Sequence, residues 1–179
     1  MTIDGITVAN NAMQTAGVYG QGVRVRDNSN ATFTNCLFSA NGANAFNGNW
    51  TLYGGAIGCN GGTLTIDDCE FTGNRFNRGD NLAGQGAAAY ANNANVTVRN
   101  SRFNDNYTRS GWQAIPRGGA LAFNACPSVQ VEGCTFTTNY VCHNIKGFEH
   151  AGLASGACGG AISLVSCPSA AVRDCHFEG

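Results

Sequence analysis

The stretch that decides the fold is TLTIDDCEFTGN, residues 63–74, because the chain repeats nearly the same phrase. The other copies are TIDGITVANN, TFTNCLFSAN, VTVRNSRFNDN, VQVEGCTFTTN and AVRDCHFEG. Each copy alternates apolar and polar residues, and then interrupts the alternation with a residue type that tolerates left-handed backbone. The interrupting residues are Gly5, Asn35, Asp68, Asn100, Gly133 and Asp174. We therefore predict a corner at this position, between two short strands.

A second phrase precedes the last four copies, as GGAIGC, GQGAAAY, GGALAF and GGAISL. It also alternates, which predicts a further strand in each repeat. The copies return about every 30–33 residues, with a last step of about 41. No single repeat can bury its own apolar side, but stacked copies share one core. The sequence thus predicts a parallel β-solenoid in which like residues lie above like residues, about 4.8 Å apart.

Two columns of this solenoid are candidate structural residues. One is a core stack of aromatic rings, Phe38, Phe71, Phe103, Phe136 and Phe177. The other falls at the next corner and consists of Asn11, Asn41, Asn74, Asn106 and Asn139. We expect an amide ladder there, because all five copies keep Asn and stacked amides can hydrogen-bond one another. The alternative is a row of solvated turn residues.

Charged residues are few and nearly balanced, with 10 Lys and Arg against 11 Asp and Glu. This balance argues against nucleic acid or an anionic membrane as a partner, and no apolar run is long enough for a membrane span. Charges alternate in sign along outward columns, Asp67, Arg99, Glu132 and Arg173 in one and Glu70 with Arg102 in another. We expect these charges to hold the register. We do not expect Asp67 and Asp68 to form a catalytic pair, since one points outward and the other forms a corner.

The nine cysteines favour a secreted or cell-surface protein, because a reducing cytosol rarely holds so many. Four fall in one inward column, Cys36, Cys69, Cys134 and Cys175, where we expect stacked free thiols. Cys142 and Cys158 bracket the longest loop, and we expect a disulfide between them. Metal-ligand spacings of the CxxC or HxxxH kind are missing, so we expect neither a zinc site nor a cofactor.

Four sequons for N-glycosylation occur in the chain. We take Asn30, Asn49 and Asn95 as candidate acceptors. Asn106 is also a member of the expected amide ladder, and we expect it to be too buried to carry a glycan.

The two phrases together, GGA with a following Ile or Leu and then FxxN, resemble the repeat of the polymorphic outer membrane proteins of chlamydiae. The matching segments are 54–57 with 71–74, 118–121 with 136–139, and 159–162 with Phe177, while GQGAAAY is a degenerate copy paired with 103–106. The resemblance implies an all-β, right-handed parallel β-helix of the pectin-lyase-like kind over residues 1–179. We expect about five coils, three short strands per coil and long loops. The family also implies a surface-exposed adhesive or structural role.

The outward positions of the GGA strands are candidates for a flat interface, because they carry small side chains without ionisable groups. They are Ala56, Gly58, Ala87, Ala89, Ala120, Ala122, Ala161 and Ser163. The alternative is that the long loops fold back over this face. The other candidates are loop residues able to stack on sugars, Trp50, Tyr53, Arg75, Arg78, Tyr107, Arg109 and Trp112. These residues would otherwise serve to pin the loops to the body.

These patterns favour a non-catalytic extracellular β-helix that contacts other protein subunits or a cell-surface glycan. We expect no catalytic residues in this stretch and a single domain that is a segment of a longer protein. A carbohydrate-active lyase or hydrolase of the same fold is the alternative, with its active residues in the loops or in coils outside this stretch. A module that binds ice or glycan is a second alternative, since Thr2, Thr32, Thr65 and Thr97 form a column, although that column ends in Gln130 and Ala171.

Overall fold

The computed structural model describes residues 1–12, 19–43, 51–77, 83–110, 116–143 and 159–179. Within these ranges every regular element is a β-strand, as the alternation in the two phrases predicted. Strands pair in parallel with strands one repeat away, for example Phe71 with Phe38 on one side and with Phe103 on the other. The chain therefore winds as a solenoid, and each coil adds one strand to every sheet that it visits.

The described strands are short, with two to five residues each. The first eleven are β1 (Thr2–Asp4), β2 (Thr7–Ala9), β3 (Val23–Val25), β4 (Asn30–Thr34), β5 (Leu37–Ser39), β6 (Gly42–Ala43), β7 (Thr51–Tyr53), β8 (Ile57–Asn60), β9 (Thr63–Asp67), β10 (Glu70–Thr72) and β11 (Arg75–Phe76). The others are β12 (Ala83–Gln85), β13 (Ala89–Asn92), β14 (Asn95–Arg99), β15 (Arg102–Asn104), β16 (Tyr107–Ser110), β17 (Leu121–Asn124), β18 (Ser128–Glu132), β19 (Thr135–Thr137), β20 (Tyr140–His143), β21 (Ile162–Val165), β22 (Ala170–Arg173) and β23 (His176–Glu178).

The described strands form five parallel sheets. The first sheet has the order β1-β4-β9-β14-β18-β22 and the second β2-β5-β10-β15-β19-β23. The third sheet is β20-β16-β11-β6, the fourth β12-β7, and the fifth β21-β17-β13-β8-β3. The six, six and five strands of the first, second and fifth sheets agree with about five coils. The third and fourth sheets lie in what the sequence predicted as loops, so a coil has more than the expected three strands.

Each coil turns at corners where one residue adopts left-handed backbone. The predicted corner before the cysteine column is present, with positive φ at Gly5, Asn35, Asp68, Asn100, Gly133 and Asp174. A second corner precedes the Asn column, at Asn10, Ala40, Gly73, Asp105 and Thr138. These positions accept several residue types, because a side chain there points into open space, as at Gly5 and Gly73, where an added Cβ meets nothing within 4 Å.

The first glycine of the GGA phrase occupies a stricter corner, before each strand of the fifth sheet. It is Gly20, Gly54, Gly86, Gly118 and Gly159, all with positive φ. A Cβ on Gly118 would lie 1.9 Å from the carbonyl oxygen of Leu121, and one on Gly54 would lie 2.0 Å from that of Ile57. Only glycine fits, because the chain turns so tightly that the carbonyl three residues later occupies the place of a side chain.

The sequence predicts Ala87 and Ala89 of the degenerate copy GQGAAAY on the outward side, and the observed register differs from this by one residue. Gly86, not Gln85, is the corner glycine, and Ala89 pairs with Ile57 and Leu121. The inward column is therefore Val23, Ile57, Ala89, Leu121 and Ile162, and Tyr90 is paired with Gly58 instead of Cys59. A run of alanines carries no alternation, so the sequence alone could not fix this register.

The core contains the predicted aromatic stack. Phe38, Phe71, Phe103 and Phe136 are almost fully buried, and their successive ring centroids lie 4.7, 4.9 and 4.8 Å apart at interplanar angles of 7°, 10° and 7°. Phe177 stacks on Phe136 at 4.8 Å. The distance between successive rings equals the spacing between neighbouring strands, so in-register pairing is enough to produce the stack.

The Asn column forms a continuous amide ladder. Asn74 Oδ1 accepts hydrogen bonds from both the backbone N and the Nδ2 of Asn41, each at 3.0 Å. Asn74 Nδ2 donates to Asn106 Oδ1 at 2.9 Å and to the carbonyl of Phe38 at 2.9 Å. The rungs from Asn11 to Asn41 and from Asn106 to Asn139 have the same form. Each amide thus uses donor and acceptor together, which an aspartate cannot do.

A second ladder lies at the end of the fifth-sheet strands, and the sequence reading missed it. Asn92 Nδ2 donates to Asn60 Oδ1 at 3.1 Å, and Asn124 Nδ2 donates to Asn92 Oδ1 at 2.8 Å. These amides are more exposed than those of the first ladder. The sequence does carry a signal for this second ladder, because an Asn recurs three residues after each of the inward residues Ile57, Ala89 and Leu121.

Replacement of Gly118 by Ala should destabilise the protein far more than replacement of Gly73 by Ala. Both residues have positive φ, but only at Gly118 does a Cβ meet backbone. We expect a loss of about 1–2 kcal/mol for Gly73→Ala from backbone conformation alone, and of at least about 3 kcal/mol for Gly118→Ala. Urea unfolding measures both, and equal losses would contradict this account of the GGA glycine.

Replacement of Asn74 by Asp should remove about 2–4 kcal/mol from the free energy of unfolding at neutral pH. The carboxylate would face the carbonyl of Phe38 and the Oδ1 of Asn106 without a hydrogen to donate, in a fully buried position. Asn92→Asp is the matched control, because Asn92 lies between two other asparagines but in a wetter place. We expect it to cost less than about 1 kcal/mol, and a similar loss in both variants would show that burial of the ladder is unimportant.

Candidate functional site

The outer face of the third sheet carries the most distinctive surface of the described chain. In this sheet Phe76 and Thr108 are fully buried, so the alternate residues Arg75, Tyr107 and Arg109 face away from the core. Register places Arg75, Tyr107 and Tyr140 in one column, with Arg109 in the next column beside Cys142. We call Arg75, Tyr107, Arg109 and Tyr140 the tyrosine column face.

The two tyrosines of this face are held parallel by the strand register. Their ring centroids lie 4.8 Å apart at an interplanar angle of 6°, and Tyr140 is 44% exposed. Partial burial raises the pKa of Tyr140, with Tyr107 adding to the shift and Arg109 opposing it. Tyr140 therefore stays neutral at physiological pH. The two rings together offer a flat aromatic surface with polar edges.

Arg109 lies against this surface with part of its guanidinium unsatisfied. Its Nε is buried and has no hydrogen-bond partner in the part of the chain that the structure describes. Arg117 forms an isolated β-bridge with Gln85, at the end of β12. Its Nε is also buried and has no hydrogen-bond partner among the described residues. Buried guanidinium donors are normally paired, so these two nitrogens are exceptions among the described residues.

The residues predicted for sugar stacking are only partly brought together. Arg109 lies on the tyrosine column face, as do Arg75 and Tyr107. Tyr140 was missed, although the repeated Asn-Tyr of NDNYTRS and TTNYVCH pointed to it. The remaining candidates Trp50, Arg78 and Trp112 lie outside the described residues.

Tyr53 belongs to a different cluster, in which three tyrosine rings pack together. Its ring stacks on Tyr19 at 4.6 Å and 14°, and lies 4.6 Å from Tyr90 at 48°. Tyr90 is 3% exposed beneath the other two rings, and burial raises its pKa. Tyr53 is thus structural, which is the alternative that the sequence left open for the loop aromatics.

The predicted flat interface on the GGA strands is wrong, because nearly all of its residues are buried, and Ala89 belongs to the inward column. Ala56, Ala87, Ala89, Ala120 and Ala122 are buried, Gly58 and Ser163 are also buried, and Ala161 is half-buried. A Cβ on Gly58 would lie 2.2 Å from the backbone N of Gly20, which shows that the preceding segment returns directly over the strand. The small side chains allow this close approach of backbone and do not form a docking face.

The predicted Cys142–Cys158 disulfide is not supported. Cys142 is a half-buried free thiol, and Cys158 lies outside the described ranges. The other cysteines of those ranges are also free, and most of them are buried. The thiols of the inward column instead face backbone carbonyls, for example Cys69 Sγ at 3.4 Å from the oxygen of Phe33. They pack as small buried groups, since equivalent residues of neighbouring coils are separated by a full strand spacing.

A shallow groove of about 290 Å³ runs along the corner between the first and second sheets. Its polar lining includes Asn35, Asp68, Glu70, Asn100 and Arg102. Beside it, the Asp67 carboxylate accepts a hydrogen bond from Asn100 at 2.9 Å.

Of the charge column predicted on the first sheet, the described residues show one ion pair, between Arg99 and Glu132. Arg99 lies 3.6 Å from Glu132, and the Asp4 carboxylate accepts hydrogen bonds from Thr34 and Asn35 that lower its pKa. These contacts are solvent-exposed, and they favour the register more than they add stability.

Two candidate glycosylation sites are exposed on the first sheet. Asn30 begins β4 and Asn95 begins β14. Asn49 lies outside the described residues, and Asn106 is fully buried in the amide ladder. In the described ranges no three His, Cys, Asp or Glu side chains are grouped to hold a metal ion. Those ranges also contain no helix with the length and apolar character needed to cross a membrane.

Comparison with known proteins places this architecture in a class. The family described as "Right handed beta helix region" matches residues 1–179. The chain therefore belongs to the right-handed β-helix family. Neither the curated proteins nor the solved structures contain a match to the chain.

The buried thiols make the fold sensitive to alkaline pH. Burial raises the pKa of Cys59, Cys69 and Cys134 from 9.0 to about 11. As the pH rises, the thiols of the unfolded chain lose their protons before those of the folded chain do. The stability that the protonated buried thiols contribute is therefore complete below about pH 9, and it is lost as the pH rises towards 11. We expect the free energy of unfolding in urea with reductant to fall between pH 8 and pH 10.5, and to fall less in Cys69→Ala. A drop that is identical in this variant would remove the thiols as its cause.

Proposed function

We propose that this chain is a non-catalytic extracellular β-helix that contacts glycans at a cell surface through the tyrosine column face. The observation that carries this proposal is the parallel pair Tyr107 and Tyr140, 4.8 Å apart and open to solvent at Tyr140. Sugar rings stack on flat aromatic faces through their C–H groups, and the phenol hydroxyls and the neighbouring guanidinium can bond the sugar hydroxyls.

The arrangement suits an extended chain of sugars. The rings of two successive coils lie in one row, so a polymer laid along the solenoid axis would meet an aromatic contact at each of these two coils. Stacking contacts of this kind are individually weak, and a repeated array makes them useful through multivalency.

Other observations support the surface role. The repeat resembles that of the chlamydial polymorphic outer membrane proteins, which are surface-exposed, and the finer family assignment is part of the proposal. The exposed sequons Asn30 and Asn95 lie on the first sheet, so glycans there would leave the tyrosine column face free. Contact with protein subunits is the less favoured partner choice, since the small-residue face predicted for it is buried.

Tyr140→Ala should abolish or reduce glycan retention at least tenfold, and Tyr140→Phe should retain it, because stacking needs the ring and not the hydroxyl. The measurement is affinity electrophoresis through gels that contain a panel of plant, algal and bacterial polysaccharides. Leu37→Ala, on the outer face of the second sheet, is the control variant. Failure of the parent protein to bind any of these polysaccharides would contradict the proposal, as would equal binding by Tyr140→Ala.

A carbohydrate-active enzyme is the second candidate, and the corner groove favours it. Asp68 and Glu70 are two carboxylates on one groove wall, and such pairs serve as acid and base in glycoside hydrolysis. If the groove is catalytic, release of reducing or unsaturated sugar ends should disappear in both Asp68→Asn and Glu70→Gln. It should persist in Glu132→Gln, which alters an exposed carboxylate outside the groove lining.

A further inference from the structure

The column of cysteines at the corner between the first and second sheets is divided into pairs. Successive coils place in this column Ile6, Cys36, Cys69, Ser101, Cys134 and Cys175. Ser101 directs its hydroxyl to the backbone, donating to the carbonyl of Arg99 and accepting from the backbone N of Cys69 at 3.1 Å. Cys36 and Cys69 therefore form a pair that is bounded by Ile6 on one side and by Ser101 on the other.

The two sulfurs of this pair occupy equivalent places in neighbouring coils. Thr34 and Asp67 are register partners, two residues before Cys36 and Cys69. Cys36 Sγ lies 3.1 Å from the carbonyl oxygen of Thr34, and Cys69 Sγ lies 3.2 Å from that of Asp67. Because both sulfurs make the same contact, they are separated by one strand spacing, about 4.8 Å.

That separation selects among the bonds that two thiols can make. A disulfide bond is about 2.05 Å long, so the pair is too far apart to form one in place. Two thiolate bonds of about 2.3 Å, the length found at zinc, place their sulfurs about 3.8 Å apart at a tetrahedral centre and about 4.6 Å apart at a linear one. The strand spacing therefore suits a linear centre. Soft thiolates favour copper(I), and this ion, like silver(I), readily takes two ligands in a line.

The corner groove gives this pair a route to solvent. The groove of about 290 Å³ is lined by both cysteines, and also by Asp68, Glu70 and Arg102. Its carboxylates attract a cation from solution. The guanidinium of Arg102 offsets the single negative charge that a monovalent cation and two thiolates carry together. The cysteines themselves are only 2% and 3% exposed, so a cation between them would be removed from water.

We propose that Cys36 and Cys69 form a binding site for a soft monovalent cation of the copper(I) class, held in a line between the two sulfurs. The cation forms one bond to each sulfur, and each thiol releases its proton to solvent. Neither the metal nor the sulfur changes its oxidation state. Such a site needs two ligands only, so it differs from the larger ligand groups that the described ranges lack. It is also independent of the proposed glycan binding.

The test measures how much copper(I) the full chain retains, without oxygen, against a chromophoric copper(I) chelator, with silver(I) as a second probe. Cys36→Ser and Cys69→Ser are the variants, because Ser101 shows that this column accepts serine and a hydroxyl is a poor ligand for a soft cation. Each variant should lose one tightly held equivalent, its affinity falling by more than the roughly 10–100-fold that loss of an outer-shell partner costs. The double variant should lose no more than either single one, because both sulfurs serve one cation.

Cys59→Ala is the matched control. Cys59 is a buried thiol whose partners in the neighbouring coils are Val25 and Ala91, so it has no thiol stacked on it and alanine fits its column. This variant should retain as much copper(I) as the parent does. X-ray absorption of the parent with one equivalent of copper(I) should show two sulfur neighbours, and an excess of zinc(II) should not displace the copper.

Several results would overturn this proposal. One is equal retention by the parent, Cys36→Ser and Cys69→Ser, and another is additive losses in the double variant, which would show two separate sites. A loss of the same size in Cys59→Ala would show general binding to thiols. A third sulfur neighbour, or displacement by zinc(II), would exclude the linear centre. Each of these results would leave the proposed glycan binding untouched.

Discussion

In-register parallel pairing between neighbouring coils is the constraint on which the rest of this structure depends. Because Phe71 pairs with both Phe38 and Phe103, each coil places the same residue type at the same height in the same direction. A favourable self-contact is then repeated along the axis, and an unfavourable one is repeated as well. The sequence can keep only side chains that stack on themselves, such as aromatic rings, amides and small thiols, or that alternate in sign.

The amide ladder shows how strict this selection is. A column of aspartates would repel itself, and a column of serines would be too short to reach both the next rung and the Phe carbonyl. Asparagine carries donor and acceptor on one planar group. Asn74 Oδ1 therefore accepts from both the backbone N and the Nδ2 of Asn41, while its own Nδ2 donates to Asn106 Oδ1 and to the carbonyl of Phe38. The buried hydrogen bonds polarise one another along the column, which binds the coils into one cooperative body.

The same constraint explains what the sequence revealed. The two phrases predicted the solenoid, the corner at Asp68, the aromatic stack and the Asn column, since a repeated pattern translates directly into stacked positions. The alanine run at 87–89 carries no alternation, and its register was misread by one residue. The buried face of the GGA strands was also misread, because alternation shows which side chains point away from the core. It cannot show that the chain returns over them, as Gly20 does above Gly58. Tyr140 went unnoticed because its column has only two aromatic members.

The unequal lengths of the repeats have a consequence for how such a protein can change. The step from Phe136 to Phe177 is longer than the one from Phe103 to Phe136, yet both pairs stack with the same geometry. The additional residues fall between β20 and β21 in the sequence. Insertions there leave every column undisturbed. The stacked columns can therefore stay constant during evolution while the segment between β20 and β21 gains or loses residues, as loops commonly do on a conserved scaffold.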